Sequence, residues 1–271
     1  MKKLDYSKVE KTIVKWLKDY ATNANKDGYV IGVSGGVDSA VVSTLCAKTG
    51  LKLLCIQMPI RQTSNEVNRA SAHINWLMEN FPNVSTINCE LTSVFNSFMS
   101  NVEILEDKES QHMAEANTRS RLRMVTLYYY ASLKNCLVAG TGNKVEDFGA
   151  GFFSKFGDGA VDISPIGDLM KSEVRELGRL MGISDEIVNA IPTDGLWDDG
   201  RGDEDQLKAT YDELEDIMGW IEENRISFDD ENDDILSYLT KRQQEVFSIY
   251  KKRHLINKHK MEMPPICKFS S

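Results

Sequence analysis

The sequence is short of the features that would place it in a membrane or an oxidised compartment. Across 271 residues no apolar run is long enough to span a bilayer. The amino end, Met1-Lys2-Lys3-Leu4-Asp5, turns acidic and then amphipathic without the apolar stretch of a signal peptide, so a cytoplasmic location is expected. Cysteines number five, at Cys46, Cys55, Cys89, Cys136 and Cys267, with no C-x-x-C pair among them. That scatter argues against a disulfide framework or a zinc site and for free thiols, four of them in apolar surroundings. Basic residues are in deficit, 32 against 41 acidic, for a net charge of −9. The deficit argues against broad electrostatic binding of nucleic acid, while leaving room for a local basic site. Neither an internal repeat nor a low-complexity linker divides the chain, so one large α/β domain, or one domain with an appendage, is expected.

One further absence leads to the centre of the chain. The stretch Gly32-Val33-Ser34-Gly35-Gly36-Val37-Asp38-Ser39 is rich in glycine but carries no Walker A lysine. Tyr29-Val30-Ile31 before it reads as a buried strand, and Ala40 to Lys48 after it as a helix stopped at Gly50. Gly35 and Gly36 allow backbone dihedrals closed to other residues and a close approach to a bound group. Free amides then converge at a helix N-terminus, which favours an anion. Ser34 and Ser39 add hydroxyl donors. Asp38 fits an anion site only if a cation lies between its carboxylate and the ligand. A plain serine-capped glycine turn is the simpler alternative, but it does not account for two serines, two glycines and an acid within six residues.

The remaining pattern alternates strands and helices. Ser7-Lys8-Val9-Glu10 has the form of a capping box, and Val9, Ile13, Leu17 and Tyr20 predict an amphipathic helix over 8–21. Leu51 to Met58 and Val84 to Asn88 read as strands; helices are expected from Ser64, through Val67, Ala70, Ile74 and Leu77, and over Leu91 to Met99. Residues 101–112 read as a solvated connection, followed by a helix from His112 to Asn135 with Ala116, Leu122, Val125, Tyr129 and Leu133 inward. Cys136 to Gly140 is a buried strand, and Gly149 to Asp162 has the composition of a binding loop. A helix around Lys171 to Met181, with Val174, Leu177 and Leu180 inward, precedes the turn-rich stretch from Pro192 to Asp203. That stretch is read as either a lid or a surface loop. A helix from Glu204 to Trp220 and a last one through Tyr250, opened by a Thr240–Gln243 capping box, lead to a basic end. Such alternation predicts a doubly wound parallel sheet, Rossmann-like, with ligands at the C-terminal ends of its strands.

The glycine stretch resembles the S-G-G-x-D-S loop of the PP-loop ATP pyrophosphatases, which hold the pyrophosphate end of ATP and transfer AMP. Further motifs follow in order: Asn117-x-x-x-Arg121-x-Arg123-Met124, Gly140-Thr141-Gly142-Asn143-Lys144-x-Glu146, the block Gly151 to Gly159, Asp162-x-x-Pro165, Lys171, Pro192-Thr193-x-x-Leu196 with Asp203-Glu204, and Asn257-Lys258-His259-Lys260. The ordered set resembles the ammonia-dependent NAD synthetase family across nearly the whole chain. The resemblance implies a single domain over 1–271, with an ATP-pyrophosphatase core at about 25–190, a mobile loop at about 192–205 and a helical part at about 204–271.

It also implies a C–N ligase that adenylates deamido-NAD with ATP and then amidates it with ammonia. ATP would be held by Gly32 to Ser39, Thr141, Lys171 and Thr193, and Mg²⁺ by Asp38 and Glu146, with Asp38 and Lys171 in catalytic roles. Deamido-NAD would meet Arg121, Lys155, Asp162, His259 and Lys260. The family is homodimeric, and the apolar faces of the first and of the 112–135 helices are candidates for that contact. No length remains for a glutaminase domain, so free ammonia is the expected donor. Neither nucleic acid nor a membrane is an expected partner.

Two departures from the family pattern concern the dinucleotide side. Asp147 to Ala150 makes the spacing between Glu146 and the Gly-Phe-Phe block one residue longer, and Gly195-Leu196-Trp197-Asp198-Asp199 replaces an Ala-Asp-Leu type of stretch. Three alternatives stand beside this reading: the same chemistry on nicotinate mononucleotide, a non-catalytic nucleotide-binding module, and a tRNA-modifying PP-loop enzyme. The acids and lysine placed for leaving-group chemistry argue against the second. The acidic charge and the lack of a cysteine pair argue against the third.

Overall fold

A computed structural model describes residues 4–62, 64–104, 106–193, 202–228 and 233–269. Its centre is a parallel sheet of β1 (Gly28–Gly32), β2 (Lys52–Gln57), β3 (Val84–Asn88) and β4 (Cys136–Val138), in the order β3-β2-β1-β4. Tyr29 lies beside Leu53 on one flank and Leu137 on the other. Side chains alternate across the sheet with period two. Tyr29, Ile31, Leu53 and Cys55 enter one apolar cluster, and Val30, Leu54, Ile56 and Val138 enter a second on the opposite face. Burial on both faces explains why the strands read as continuous apolar runs.

The first cluster is covered by α1 (Tyr6–Asn23), α2 (Val37–Lys48), α3 (Ser64–Asn80), α6 (Lys171–Leu180) and α7 (Asp185–Val188). The second is covered by α4 (Thr92–Met99) and α5 (Lys108–Lys134). The doubly wound α/β expectation holds. A third cluster gathers Leu214 and Met218 of α9 (Tyr211–Asn224), Val246 and Tyr250 of α10 (Lys241–Met261), Val145 from the turn after β4 and Met170 at the start of α6. The short α8 (Asp203–Leu207) precedes α9, and a 3₁₀ turn (Asp233–Tyr238) lies between α9 and α10. No helix among the described residues is long and apolar enough to cross a membrane.

Several local expectations need correction. Ser7 does not open α1; Asp5 does, accepting from the Lys8 amide at 3.2 Å. Helix α5 begins four residues before His112, because Asp107 caps it and Glu109 sits favourably in its first turn. Its buried side carries Ala116, Arg119, Ser120 and Ala131. Val125, Tyr129 and Leu133 are exposed at 58%, 63% and 62%. Leu122, expected inward, packs against the second cluster together with Leu127, Tyr128 and Tyr130, while the apolar side chains at 125, 129 and 133 form a separate outer stripe. Leu180 and Tyr20 are likewise exposed, whereas Val174, Leu177 and Leu17 are buried.

The helix expected from Glu204 to Trp220 is two helices. Lys208 takes a left-handed φ of 65°, and Thr210 starts α9 with a reciprocal cap to Glu213. The last helix continues past Tyr250 to Met261, so His259 and Lys260 stand on a helix end and not on a loose tail. Cys46, Cys55 and Cys136 are buried free thiols, Cys89 is half-buried and Cys267 exposed. Gly195 to Asp199, and most of the stretch read as a lid, lie outside the described residues.

Candidate active site

The chain leaves β1 at Gly32, turns through Gly35 at φ +89°, and enters α2 with Gly36 as its N-cap. No side chain caps that helix. Its serines brace the loop from within: Ser34 Oγ accepts from Gly36 N at 3.3 Å, and Ser39 Oγ accepts from Ser34 N at 3.3 Å while donating to Gly36 O at 3.0 Å. The amides of the first helical turn are therefore left facing a cavity of about 280 Å³ beyond the strand ends.

The opposite wall follows β4. Gly140, Thr141 and Gly142 lead to Asn143, whose Oδ1 accepts from the Val145 and Glu146 amides, each at 3.1 Å. The turn that follows, Lys144–Ala150, is a π-helix. Asn143 also donates from Nδ2 to Asp38 Oδ1 at 3.2 Å, so one side chain ties the start of this turn to the glycine loop. Lys171, the first residue of α6, reaches between the two acids. Its Nζ donates to Asp38 Oδ2 at 2.6 Å and to Glu146 Oε1 at 2.9 Å. Tyr211 of α9 donates to the same Glu146 oxygen at 2.5 Å, lies 3.2 Å from Asp203 Oδ2, and stacks under the Lys171 ammonium at 5.0 Å.

These contacts divide the two acids electrostatically. Burial pushes the Asp38 carboxyl up, and the nearby Glu146 charge adds to the effect against Lys171. Burial would raise Glu146 too, but Lys171, Tyr211 and Asn143 hold it below the usual carboxylate range. For Lys171, the two carboxylates outweigh burial and keep it cationic. Two buried like charges sharing one cation separate in this manner. Asp147 lies beside them with its carboxyl against Gly142, where a Cβ would fall 1.8 Å from Oδ2. Burial first, then Asp158, Glu146 and Asp38, push its pKa well up.

Gly32, Val33, Ser34, Gly36, Val37, Asp38 and Ser39 line the cavity together with Thr141, Glu146, Lys171 and Thr193. The residues expected on ATP and metal are thus brought together, with Gly35 at the back of the loop. Those expected on the second substrate form another group. Arg121 donates to the Lys155 carbonyl at 3.2 and 3.4 Å, and Lys155 Nζ donates to the His259 carbonyl. Lys260 Nζ donates to the Phe153 carbonyl at 2.7 Å. Asp162 stands apart from these four. It accepts from the Val138 amide at 2.8 Å and from the Tyr128 hydroxyl at 3.2 Å.

The sequence model of the NAD synthase family matches residues 9–264. The chain belongs to the NAD synthase family. The NH(3)-dependent NAD(+) synthetase of Methanosarcina acetivorans is 32% identical over 267 residues, 97% of this chain and 98% of the relative. That of Carboxydothermus hydrogenoformans is 41% identical over 209 residues, 77% of this chain and 83% of the relative. Two solved structures are similar over 98% of this chain and 100% of their own. NMN synthetase from Francisella tularensis has a TM-score of 0.80 at 29% identity, and the NH3-dependent NAD synthetase of Campylobacter jejuni subsp. jejuni 0.77 at 25%.

Asp147 to Ala150, between Glu146 and Gly151, lie within the π-helix, whose turn is wider than that of an α-helix. Gly149 and Ala150 carbonyls then accept from His254 and Asn257 of α10, at 2.8 and 2.9 Å. Sequence reasoning assigned no role to Asn143, Asp147, Asp203 or Tyr211. Asn143 and Asp203 lay within quoted motifs and were findable there. Tyr211 follows an ordinary helix cap, and nothing local signals that it reaches Glu146.

Proposed function

We propose that this chain converts deamido-NAD to NAD, using ATP and ammonia and releasing AMP and pyrophosphate. The observation that carries the reading is the buried Asp38–Lys171–Glu146 group beneath a glycine loop whose helix amides face the same cavity. A carboxylate resists attack by ammonia because its own charge repels nucleophiles. In the first step a nicotinate carboxylate oxygen bonds to the α-phosphorus of ATP, and the bond from that phosphorus to the bridging oxygen breaks to release pyrophosphate. In the second, ammonia adds at the acyl carbon, AMP leaves with the bridging oxygen, and the nitrogen loses a proton.

Both steps build negative charge on phosphate oxygens, so fixed donors and cations matter most. Gly32 to Ser39 supply amides and hydroxyls for the pyrophosphate end. Lys171 supplies a buried ammonium at the phosphates. Thr141 and Thr193 line the cavity as further ATP contacts. Asp38 and Glu146 fit Mg²⁺: both are carboxylates at the cavity wall, and with Lys171 between them they keep an excess negative charge. Two protein carboxylates plus phosphate oxygens and water suit this ion. Bound there, Mg²⁺ would neutralise charge on the departing pyrophosphate.

Arg121, Lys155, His259 and Lys260 suit the distal half of a dinucleotide. They lie outside the ATP cavity yet adjoin the Gly151–Gly159 block, and binding energy from remote groups can orient the reacting carboxylate. Asp162 completes that assignment from the edge of β4. We also propose a homodimer, with the exposed Val125, Tyr129 and Leu133 of α5 and Trp16 and Tyr20 of α1 as candidate contacts.

The likeness to an NMN synthetase favours a second reading, in which nicotinate mononucleotide is the acceptor in the same two steps. Comparing kcat/KM for the two acceptors, at saturating ATP and ammonia, decides between them. The first reading predicts that deamido-NAD is preferred, and that His259→Ala and Lys260→Ala reduce its use more than that of the mononucleotide. A preference for the mononucleotide retains the reaction class and replaces the substrate.

A further inference from the structure

We propose that Arg69 is a pyrophosphate-binding residue of this cavity, supplying from α3 the cation that the glycine loop itself lacks. The inference rests on the ATP reading above. Charge is the first argument. Among the described residues, six acids line the cavity, Asp38, Glu66, Glu146, Asp147, Asp158 and Asp203, against three cations, Arg69, Arg123 and Lys171. Lys171 is already held by two carboxylates. Arg123, whose Nε donates to the Met58 carbonyl at 3.1 Å, stands on α5 and not on the helix packed over the glycine loop. A polyphosphate entering here needs positive charge on the loop side, and Arg69 is the cation placed there.

Position is the second argument. Gly35 lies directly under the opening turns of α3. A Cβ on it would come within 2.7 Å of the Glu66 carbonyl, 3.1 Å of the Ala70 amide and 3.3 Å of Arg69 Cβ. Arg69 Nε donates to the Gly35 carbonyl at 3.3 Å, the one hydrogen bond it makes among the described residues, and none of the ion pairs there uses it. A guanidinium tethered through Nε keeps both terminal nitrogens for a ligand, in the planar fork that matches phosphate oxygens. Because the tether is to the loop backbone, the guanidinium belongs with the phosphates the loop holds and not with the adenosine.

The test uses the whole enzyme and two product inhibitors. Arg69→Gln keeps a side-chain N–H for the Gly35 carbonyl and removes the charge; Arg69→Lys restores charge without the fork. First, wild-type enzyme is checked for AMP and pyrophosphate formation, so that failure of the ATP reading is seen separately. Inhibition constants for pyrophosphate and AMP are then measured in each variant. In Arg69→Gln, pyrophosphate inhibition should weaken at least about tenfold, the scale of one lost charged hydrogen bond. AMP inhibition and KM for the nicotinate substrate should stay within about twofold, on the same scale. Arg69→Lys should fall between. Unchanged pyrophosphate inhibition in Arg69→Gln overturns the proposal, as does an equal loss for AMP and pyrophosphate, which marks a merely structural residue.

Discussion

At Lys171 a single ammonium serves two acids, 2.6 Å from Asp38 and 2.9 Å from Glu146. Removing either acid deprives the site of a proposed Mg²⁺ ligand without opening an apolar cavity. Asp38→Asn and Glu146→Gln should therefore each reduce kcat by several kcal/mol of barrier, roughly a hundredfold or more, and raise the Mg²⁺ needed for half-maximal rate. Steady-state kinetics across a Mg²⁺ titration, with circular dichroism as a control, measures this; near-normal turnover in both removes the metal assignment. His73 offers a test by pH. It is buried behind the glycine loop, where Ser43 Oγ, itself bonded to the Ser39 carbonyl at 2.7 Å, lies 3.0 Å from its Nε2. Burial lowers its pKa to about 4. The unfolded chain then binds a proton that the native chain does not, so stability is complete above the unfolded value of about 6.5 and declines as pH falls toward about 4. The full loss is about 3 kcal/mol. Urea unfolding at pH 7.5 and 5 should show a smaller decline in His73→Gln than in the wild type. Asp38 and Glu146 were legible in the sequence because each stands in a motif of fixed spacing, and Lys171 as a single position in the ordered set. Tyr211 was not, because its role arises only when α9 folds over the site.

Among the elements, the π-helix at Lys144–Ala150 couples the site to the C-terminal helix. It ends at Gly151, which has φ +63° and lies so close to α10 that a Cβ would sit 2.4 Å from Asn257 Cβ and 2.8 Å from Met261 Cε. Gly151→Ala should cost roughly 1–3 kcal/mol, from the left-handed backbone and the clash together. Urea midpoints report the stability. If α10 is displaced as expected, KM for the nicotinate substrate rises more than KM for ATP, because His259 and Lys260 ride on that helix; a neutral substitution contradicts the coupling. Strands β1, β2 and β4 were legible as continuous apolar runs because they are buried on both faces, and most helices from their periodicity. The errors fell where one signal concealed another. In α5 large apolar residues lie on two sides, with Leu122, Leu127, Tyr128 and Tyr130 against the sheet and Val125, Tyr129 and Leu133 outside, so periodicity alone did not pick out the buried side. In α8 and α9 a left-handed Lys208 breaks a helical pattern that has neither glycine nor proline at the break.

For the whole molecule, the outer stripe of α5 bears on assembly. Tyr129→Asp should shift the proposed dimer toward monomer in sedimentation velocity, with the secondary structure unchanged; an unaltered dimer excludes this face. The reaction itself is tested most directly by following one oxygen atom. Deamido-NAD carrying ¹⁸O in its nicotinate carboxylate is converted with ATP, Mg²⁺ and ammonia, and the nucleotide and phosphate products are analysed by mass spectrometry. Adenylation requires that one labelled oxygen leave with AMP, that pyrophosphate be unlabelled, and that NAD retain the other oxygen in its amide. Label in inorganic phosphate, with ADP as the nucleotide product, would mean that the terminal phosphate is transferred, and would contradict the account.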